Sequence, residues 1–138
     1  MTGSARDDGR RTPLLFGGAG FVGTCLAARL LGSGQSVTLF DNLSRAGSEH
    51  NFARLRERFG SAVRLIRGDV RDFDAVAAAV QRASAVFHFA AQVAVTTSFD
   101  DPRRDFDVNI GGTFHVLEAL RGCAVPPPLL YTSTNKVY

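Results

Sequence analysis

Residues 13–32 read Pro-Leu-Leu-Phe-Gly17-Gly-Ala-Gly20-Phe-Val-Gly23-Thr-Cys-Leu-Ala-Ala-Arg-Leu-Leu-Gly32, an apolar run joined to a helical pattern through glycines at 17, 20 and 23. This spacing, GxxGxxG between a strand and a helix, suits a phosphate-binding elbow. Gly17 allows the tight turn, Gly20 lets backbone approach a diphosphate, and Gly23 lets the helix pack closely on the sheet. The N–H groups at the helix start then face the anion. A glycine triplet by itself also ends strands for steric reasons. What favours a dinucleotide here is order: strand, turn, helix, then a second strand ending in an acid.

That acid is Asp41, after Val37-Thr-Leu-Phe40. A carboxylate in this place accepts both adenosine ribose hydroxyls and repels a 2′-phosphate, which selects NAD over NADP. The competing reading is a solvated turn aspartate beside Asn42. A second acid, Asp69 in Gly68-Asp69-Val70, ends the third strand, where it can accept a proton from the adenine amino group. Aspartate in a turn before a helix is the ordinary alternative.

Outward from the elbow, short apolar runs alternate with helical patterns. Strands are predicted near 13–17, 36–41, 62–67, 84–89 and 128–133, and helices near 20–32, 48–59, 72–82 and 104–121. Phe52, Leu55 and Phe59 keep a helical period, as do Phe73, Val76, Ala77 and Val80. Phe106, Ile110, Phe114, Leu117 and Leu120 form one stripe along the longest helix. Ser48 reads as an N-cap and Gly122 as a helix stop. Strands such as Ala85-Val-Phe-His-Phe89 are apolar on both faces, as in a parallel sheet covered on each side. The fold expected is α/β, a doubly wound Rossmann-like parallel sheet of order 3-2-1-4-5. Residues 1–12 are expected to be a flexible tail and 13–138 one domain. The segment from Ala90 to Asp105 is a longer loop at the carboxyl end of the fourth strand, where such sheets place ligands.

Composition narrows the function further. The 138 residues suit a single domain, and 45% hydrophobic with 21% charged residues excludes fibrous and wholly disordered classes. The net charge of +3 comes from scattered arginines, not a stripe, so no nucleic-acid surface is expected. Cys25 and Cys123 lie far apart with no histidine at ligand spacing, so neither a disulfide framework nor a metal site is expected, and a reduced cytoplasmic compartment fits. Arg10-Arg11 before an apolar run loosely mimics a twin-arginine signal, but four patterned glycines interrupt that run. No membrane association is expected. His88 reads as a packed strand residue, and His50 and His115 as helix-surface residues.

Five motifs in register resemble one family: Gly17 to Gly23; Asp41-Asn-Leu-Ser-Arg45; Gly68-Asp69-Val70; His88-Phe-Ala-Ala-Gln92; and Asn109-Ile-Gly-Gly-Thr113 with Ser133-Thr-Asn-Lys-Val-Tyr138. The chain resembles the extended short-chain dehydrogenase/reductases, which include NAD-dependent nucleotide-sugar epimerases and dehydratases. The runs Gln92–Ser98 and Ser133–Tyr138 are most like the branch acting at C2 of CDP-sugars. The resemblance implies that Phe21 and Val22 offer backbone groups to the diphosphate, and that Asp41, Asn42, Ser44 and Arg45 surround the adenosine ribose. It places Asp69 and Val70 beside adenine, Phe89, Ala90, Ala91 and Gln92 along the nicotinamide, and Asn109 near the cofactor. Thr134 corresponds to the catalytic hydroxyl residue of the Ser/Thr, Tyr, Lys set, hydrogen-bonded to the sugar oxygen that loses its proton. Thr96, Thr97 and Ser98 are candidate contacts to a nucleotide-sugar substrate. A homo-oligomer is the family expectation.

Two departures qualify the resemblance. Phe16 stands where the family usually carries threonine before the first glycine. The Tyr-x-x-x-Lys pair is absent, because Tyr131 is followed four residues later by Asn135 and Tyr138 is last. The chain is therefore expected to be the N-terminal part of a longer enzyme, inactive alone, with an open sheet edge that favours marginal stability or self-association. The full protein is expected to oxidise its sugar transiently through bound NAD. The alternatives are a UDP- or dTDP-sugar 4-epimerase or 4,6-dehydratase, a non-catalytic NAD-binding module, and a Rossmann-like sheet that holds a different nucleotide.

Overall fold

The computed structural model describes residues 11–92 and 99–133. Five strands, β1 (Thr12–Phe16), β2 (Val37–Asp41), β3 (Val63–Arg67), β4 (Ala83–His88) and β5 (Leu129–Tyr131), form one all-parallel sheet. Its order is β3-β2-β1-β4-β5, the order expected from the βαβ alternation. Helices α1 (Phe21–Gly32), α2 (Ser48–Phe59) and α3 (Phe73–Val80) follow the first three strands. After β4 come α4 (Pro102–Phe106), a π-helical turn (Asp107–Gly111) and α5 (Gly112–Arg121). The sequence predicted one uninterrupted helix there.

The two-residue period of each strand divides the core into two layers. Leu14, Phe16, Phe40 and Val86 face Val76, Ala79 and Val80 of α3 and Val116, Ala119 and Leu120 of α5. Leu15, Val37, Leu39 and Val63 face Ala27 and Leu31 of α1 and Leu55 of α2. All eight strand residues are essentially shut off from water, and each fully buried aliphatic or aromatic side chain contributes about 1.5–3 kcal/mol. Register aligns the carboxyl ends: Phe16 lies beside both Phe40 and His88, and Asp41 beside Arg67. The turns that follow these ends are thereby gathered on one edge.

Helix starts explain two boundaries. Asp72 Oδ1 accepts from the Ala75 N–H at 3.2 Å, so α3 begins at Phe73. Asp101 Oδ1 accepts from the Arg104 N–H at 3.0 Å, ahead of Pro102 at the first helical position.

Three sequence expectations are corrected. Ser48 is not the cap of α2: Gly47, at φ +88°, is the N-cap without a side-chain bond, and Ser48 is the buried first residue of the helix. Of the stripe on the longest helix, Phe106, Ile110, Phe114 and Leu117 are exposed and only Leu120 is buried. The sheet-facing side is built instead of Gly112, Val116, Ala119 and Leu120, because close approach requires small residues: a β-carbon on Gly112 would lie 2.6 Å from Val70 Cγ2. His115 is half-buried rather than on the surface, its Nδ1 2.9 Å from the Val70 carbonyl oxygen and its ring against Phe73. Among the described residues, no helix is long and apolar enough to cross a membrane.

Candidate functional site

The elbow after β1 is built as a phosphate turn requires. Gly17 adopts φ +72°, and its N–H donates to the Phe40 carbonyl at 2.9 Å, tying the turn to the end of β2. A β-carbon on Gly23 would lie 2.5 Å from the Gly17 carbonyl oxygen, so α1 seats directly on the turn. Gly20 differs: its nearest neighbour would be the Gly17 oxygen at 3.2 Å, and the rest of its face is open. As N-cap of α1, Gly20 contributes no side-chain hydrogen bond. The first-turn amides of Phe21, Val22 and Gly23 lack intrahelical acceptors by geometry. Phe21 and Val22 are 82% and 53% exposed at this helix start, where the helix dipole favours an anion.

Asp41 reaches back to this turn. Its Oδ2 accepts from the Ala19 N–H at 3.0 Å and its Oδ1 from the Leu43 N–H at 2.9 Å. A carboxylate has about four acceptor sites, so about two are left for hydroxyl donors. Leu43 is held at φ +57°, a left-handed conformation rare for leucine, by this bond and by the Asx-type bond of Ser44 N–H to Asn42 Oδ1 at 3.0 Å. The segment 41–45 is therefore shaped by its own side chains, and strain of this kind concentrates at ligand sites.

Asp69 is more fully committed. Its Oδ1 accepts from the Arg71 backbone N–H and Nε, both at 2.9 Å. Its Oδ2 accepts from Arg71 Nη2 at 2.8 Å and Asn42 Nδ2 at 3.0 Å. The Arg71 side-chain hydrogen bonds hold this carboxyl well below the usual carboxylate range, against a desolvation that raises it. An adenine contact through Asp69 requires one of these bonds to yield.

The remaining wall is the carboxyl end of β4. The Phe89 N–H donates to the Phe16 carbonyl at 2.9 Å, and Ala90 and Ala91 follow as small residues. Asn109, in the π turn, clamps the next residue: its Oδ1 accepts from the Gln92 N–H at 2.8 Å and its Nδ2 donates to the Gln92 carbonyl at 3.1 Å. Gln92 is thus held by two bonds as the chain leaves the sheet.

These pieces enclose one cavity of about 520 Å³, a size suited to a small-molecule cofactor. Gly17 and Gly20, the segment Asp41, Asn42, Ser44 and Arg45, the pair Asp69 and Val70, and Phe89 to Gln92 all line it. Phe21, Val22, Gly23 and Asn109 do not; the first three belong to the elbow and Asn109 acts from behind Gln92. Thr96, Thr97, Ser98 and Thr134 lie outside the described residues. Sequence reading missed Asn51, whose Nδ2 donates to the Ala19 carbonyl at 2.9 Å and braces the elbow from α2. It also missed Arg71, Asp100, Asp101, Arg104 and Val108, which line the cavity. Only the polar Asn51 inside an amphipathic helix offered a signal. Among the described residues no group of acids, histidines or cysteines is placed to hold a metal ion.

A parallel sheet of this order, with a glycine elbow after β1 and an acid closing β2, defines a Rossmann-type domain of the short-chain dehydrogenase/reductase kind. Residues 14–138 match the family described as GDP-mannose 4,6 dehydratase, and the chain belongs to that family. It is 41% identical over 127 residues to CDP-paratose 2-epimerase of Salmonella typhi and 36% identical over 127 residues to dTDP-glucose 4,6-dehydratase of Mycobacterium tuberculosis. Each alignment covers 91% of this chain and 37% of the relative, so the chain spans little more than a third of those proteins. Among solved structures, UDP-glucose 4-epimerase of Stenotrophomonas maltophila, with bound NAD and formylated UDP-arabinopyranose, superposes with a TM-score of 0.81 at 31% identity. That match covers 94% of this chain and 38% of the other. UDP-glucose 4-epimerase of Thermus thermophilus in complex with NAD gives a TM-score of 0.68 at 38% identity, covering 80% and 33% of the two chains.

Proposed function

We propose that this chain is the NAD-binding portion of a nucleotide-sugar epimerase or dehydratase, and that within this class the whole protein is a 2-epimerase of CDP-sugars. The observation that carries the cofactor reading is the pairing of the α1 start, whose first-turn amides have no intrahelical acceptor, with the spare acceptor sites of Asp41, which is tied to the same elbow through Ala19. The amides hold the diphosphate. Asp41 takes the ribose hydroxyls and disfavours a 2′-phosphate, with Asn42, Ser44 and Arg45 closing that end. Asp69 and Val70 flank adenine, and Phe89, Ala90, Ala91 and Gln92 form the surface for the nicotinamide, with Asn109 fixing Gln92. When bound, NAD supplies reversible hydride acceptance and return, the chemistry that inversion at a carbinol carbon needs.

In this reading Thr134 hydrogen-bonds the sugar oxygen and orients its proton for removal, and Thr96, Thr97 and Ser98 contact the sugar or its phosphates. The enzyme works in the cytoplasm as a homo-oligomer. The likeness to CDP-paratose 2-epimerase supports a CDP-sugar and C2; the likeness to dTDP-glucose 4,6-dehydratase supports the second reading, a 4,6-dehydratase. Incubating the full-length protein with CDP-paratose, UDP-glucose and dTDP-glucose in parallel separates them. Epimerisation at C2 of the CDP-sugar is expected. A 4-epimer of the UDP-sugar or a 4-keto-6-deoxy product from the dTDP-sugar replaces the 2-epimerase reading, and NAD binding without turnover of any sugar makes the protein a regulatory module.

A further inference from the structure

The bond between β4 and the start of α5 is made by two residues that are not among those lining the cavity. His88 is 2% exposed on β4, packed edge-on to Phe16 and beside Tyr131. Its Nε2 lies 3.0 Å from Thr113 Oγ1, in the first turn of α5. That hydroxyl donates its own hydrogen to the Asn109 carbonyl at 2.7 Å, so toward His88 it can only accept. The imidazole therefore carries its proton on Nε2, and Nδ1 is a buried acceptor without a hydrogen-bond partner. Burial holds the His88 pKa down at about 4, so this neutral tautomer persists at neutral pH.

Helical hydroxyls that bond back four residues, as Thr113 does to Asn109, perturb the regular ladder, and here the helix is widened into a π turn over Asp107–Gly111. Asn109 sits in the middle of that turn, and its amide clamps both backbone groups of Gln92, at 2.8 and 3.1 Å, with a third bond to Asp105 at 3.3 Å. A polar chain thus runs from inside the sheet through Thr113 and Asn109 to the cavity wall.

We propose that His88 and Thr113 are positioning residues that set the nicotinamide end of the cavity, acting through Asn109 on the Gln92 backbone. The inference rests on the cofactor reading above and deepens it. Because the adenosine and diphosphate contacts come from β1, β2 and β3 turns that this chain of bonds does not reach, the two ends of the cofactor respond differently when it is broken.

The test is isothermal titration of the full-length protein, freed of copurified cofactor, with NAD and with ADP-ribose, which lacks only the nicotinamide. Thr113→Val is expected to weaken NAD roughly tenfold while ADP-ribose stays within about twofold of wild type, and Thr113→Ser is expected to restore NAD binding. Thr113→Ala, which removes the hydroxyl without adding bulk, gives the same reading if the valine variant does not fold. Equal losses for the two ligands, or unchanged NAD binding with the hydroxyl gone, overturn the positioning role while wild type still binds NAD. A wild-type protein that binds neither ligand overturns the cofactor reading, and this proposal with it.

Discussion

Gly17 and Ala90 stand so close that a β-carbon on Gly17 would lie 2.7 Å from the Ala90 amide nitrogen and 2.9 Å from its Cα. The turn after β1 and the end of β4 are therefore in backbone contact, and Gly17 also holds φ +72°. Gly17→Ala must move backbone and strain a left-handed residue together, with an expected loss of about 3 kcal/mol. Gly20→Ala meets only the Gly17 oxygen at 3.2 Å; its stability is expected to stay within about 1 kcal/mol of wild type while NAD affinity falls. Urea denaturation and NAD titration of both variants check this. An unstable Gly20→Ala protein, or one that binds NAD normally, counts against a diphosphate at that face.

Gly112 and Val70 make a second close contact, at 2.6 Å from an added β-carbon to Val70 Cγ2, in the seam between α5 and the turn after β3. Here the obstructing atom is a side-chain methyl. Gly112→Ala is expected to cost about 1–3 kcal/mol by overpacking, and Val70→Ala to cost less in that background than in wild type. A double-mutant cycle by denaturant unfolding measures the coupling; strict additivity would show that the seam relaxes elsewhere.

The buried imidazole of His88 gives a pH signature. Desolvation lowers its folded-state pKa from 6.5 to about 4, so between those values the unfolded chain binds a proton that the folded chain does not. Stability then rises with pH across that window. The contribution is fully present above about pH 6.5 and is lost as pH falls toward 4, on the order of 3 kcal/mol in all. Unfolding free energies from pH 7 to 4.5 are expected to decline more steeply for wild type than for His88→Gln. Parallel slopes would mean that the imidazole titrates normally.

Much of this architecture is local in sequence, which is why it was legible there. The elbow and Asp41 lie within one βαβ unit, and strand order follows from alternation. The face of α5 was not legible: hydropathy singles out Phe106, Ile110, Phe114 and Leu117, whereas packing against the sheet selects the small Gly112 and Ala119. The contact between His88 and Thr113 joins residues 25 apart in the chain, and no periodicity encodes it. Asp69 was legible as a cavity residue but not as one whose acceptors Arg71 and Asn42 already fill, because that requires the turns after β2 and β3 to meet.

Asp41 carries the central claim, since the carboxylate that braces Ala19 is the one proposed to select the coenzyme. Titration of the full-length protein with NAD and NADP, in wild type, Asp41→Asn and Asp41→Ala, tests it most directly. Wild type is expected to prefer NAD by roughly tenfold or more, and both variants to lose most of that preference. Equal, weak binding of both coenzymes by all three proteins would contradict the account.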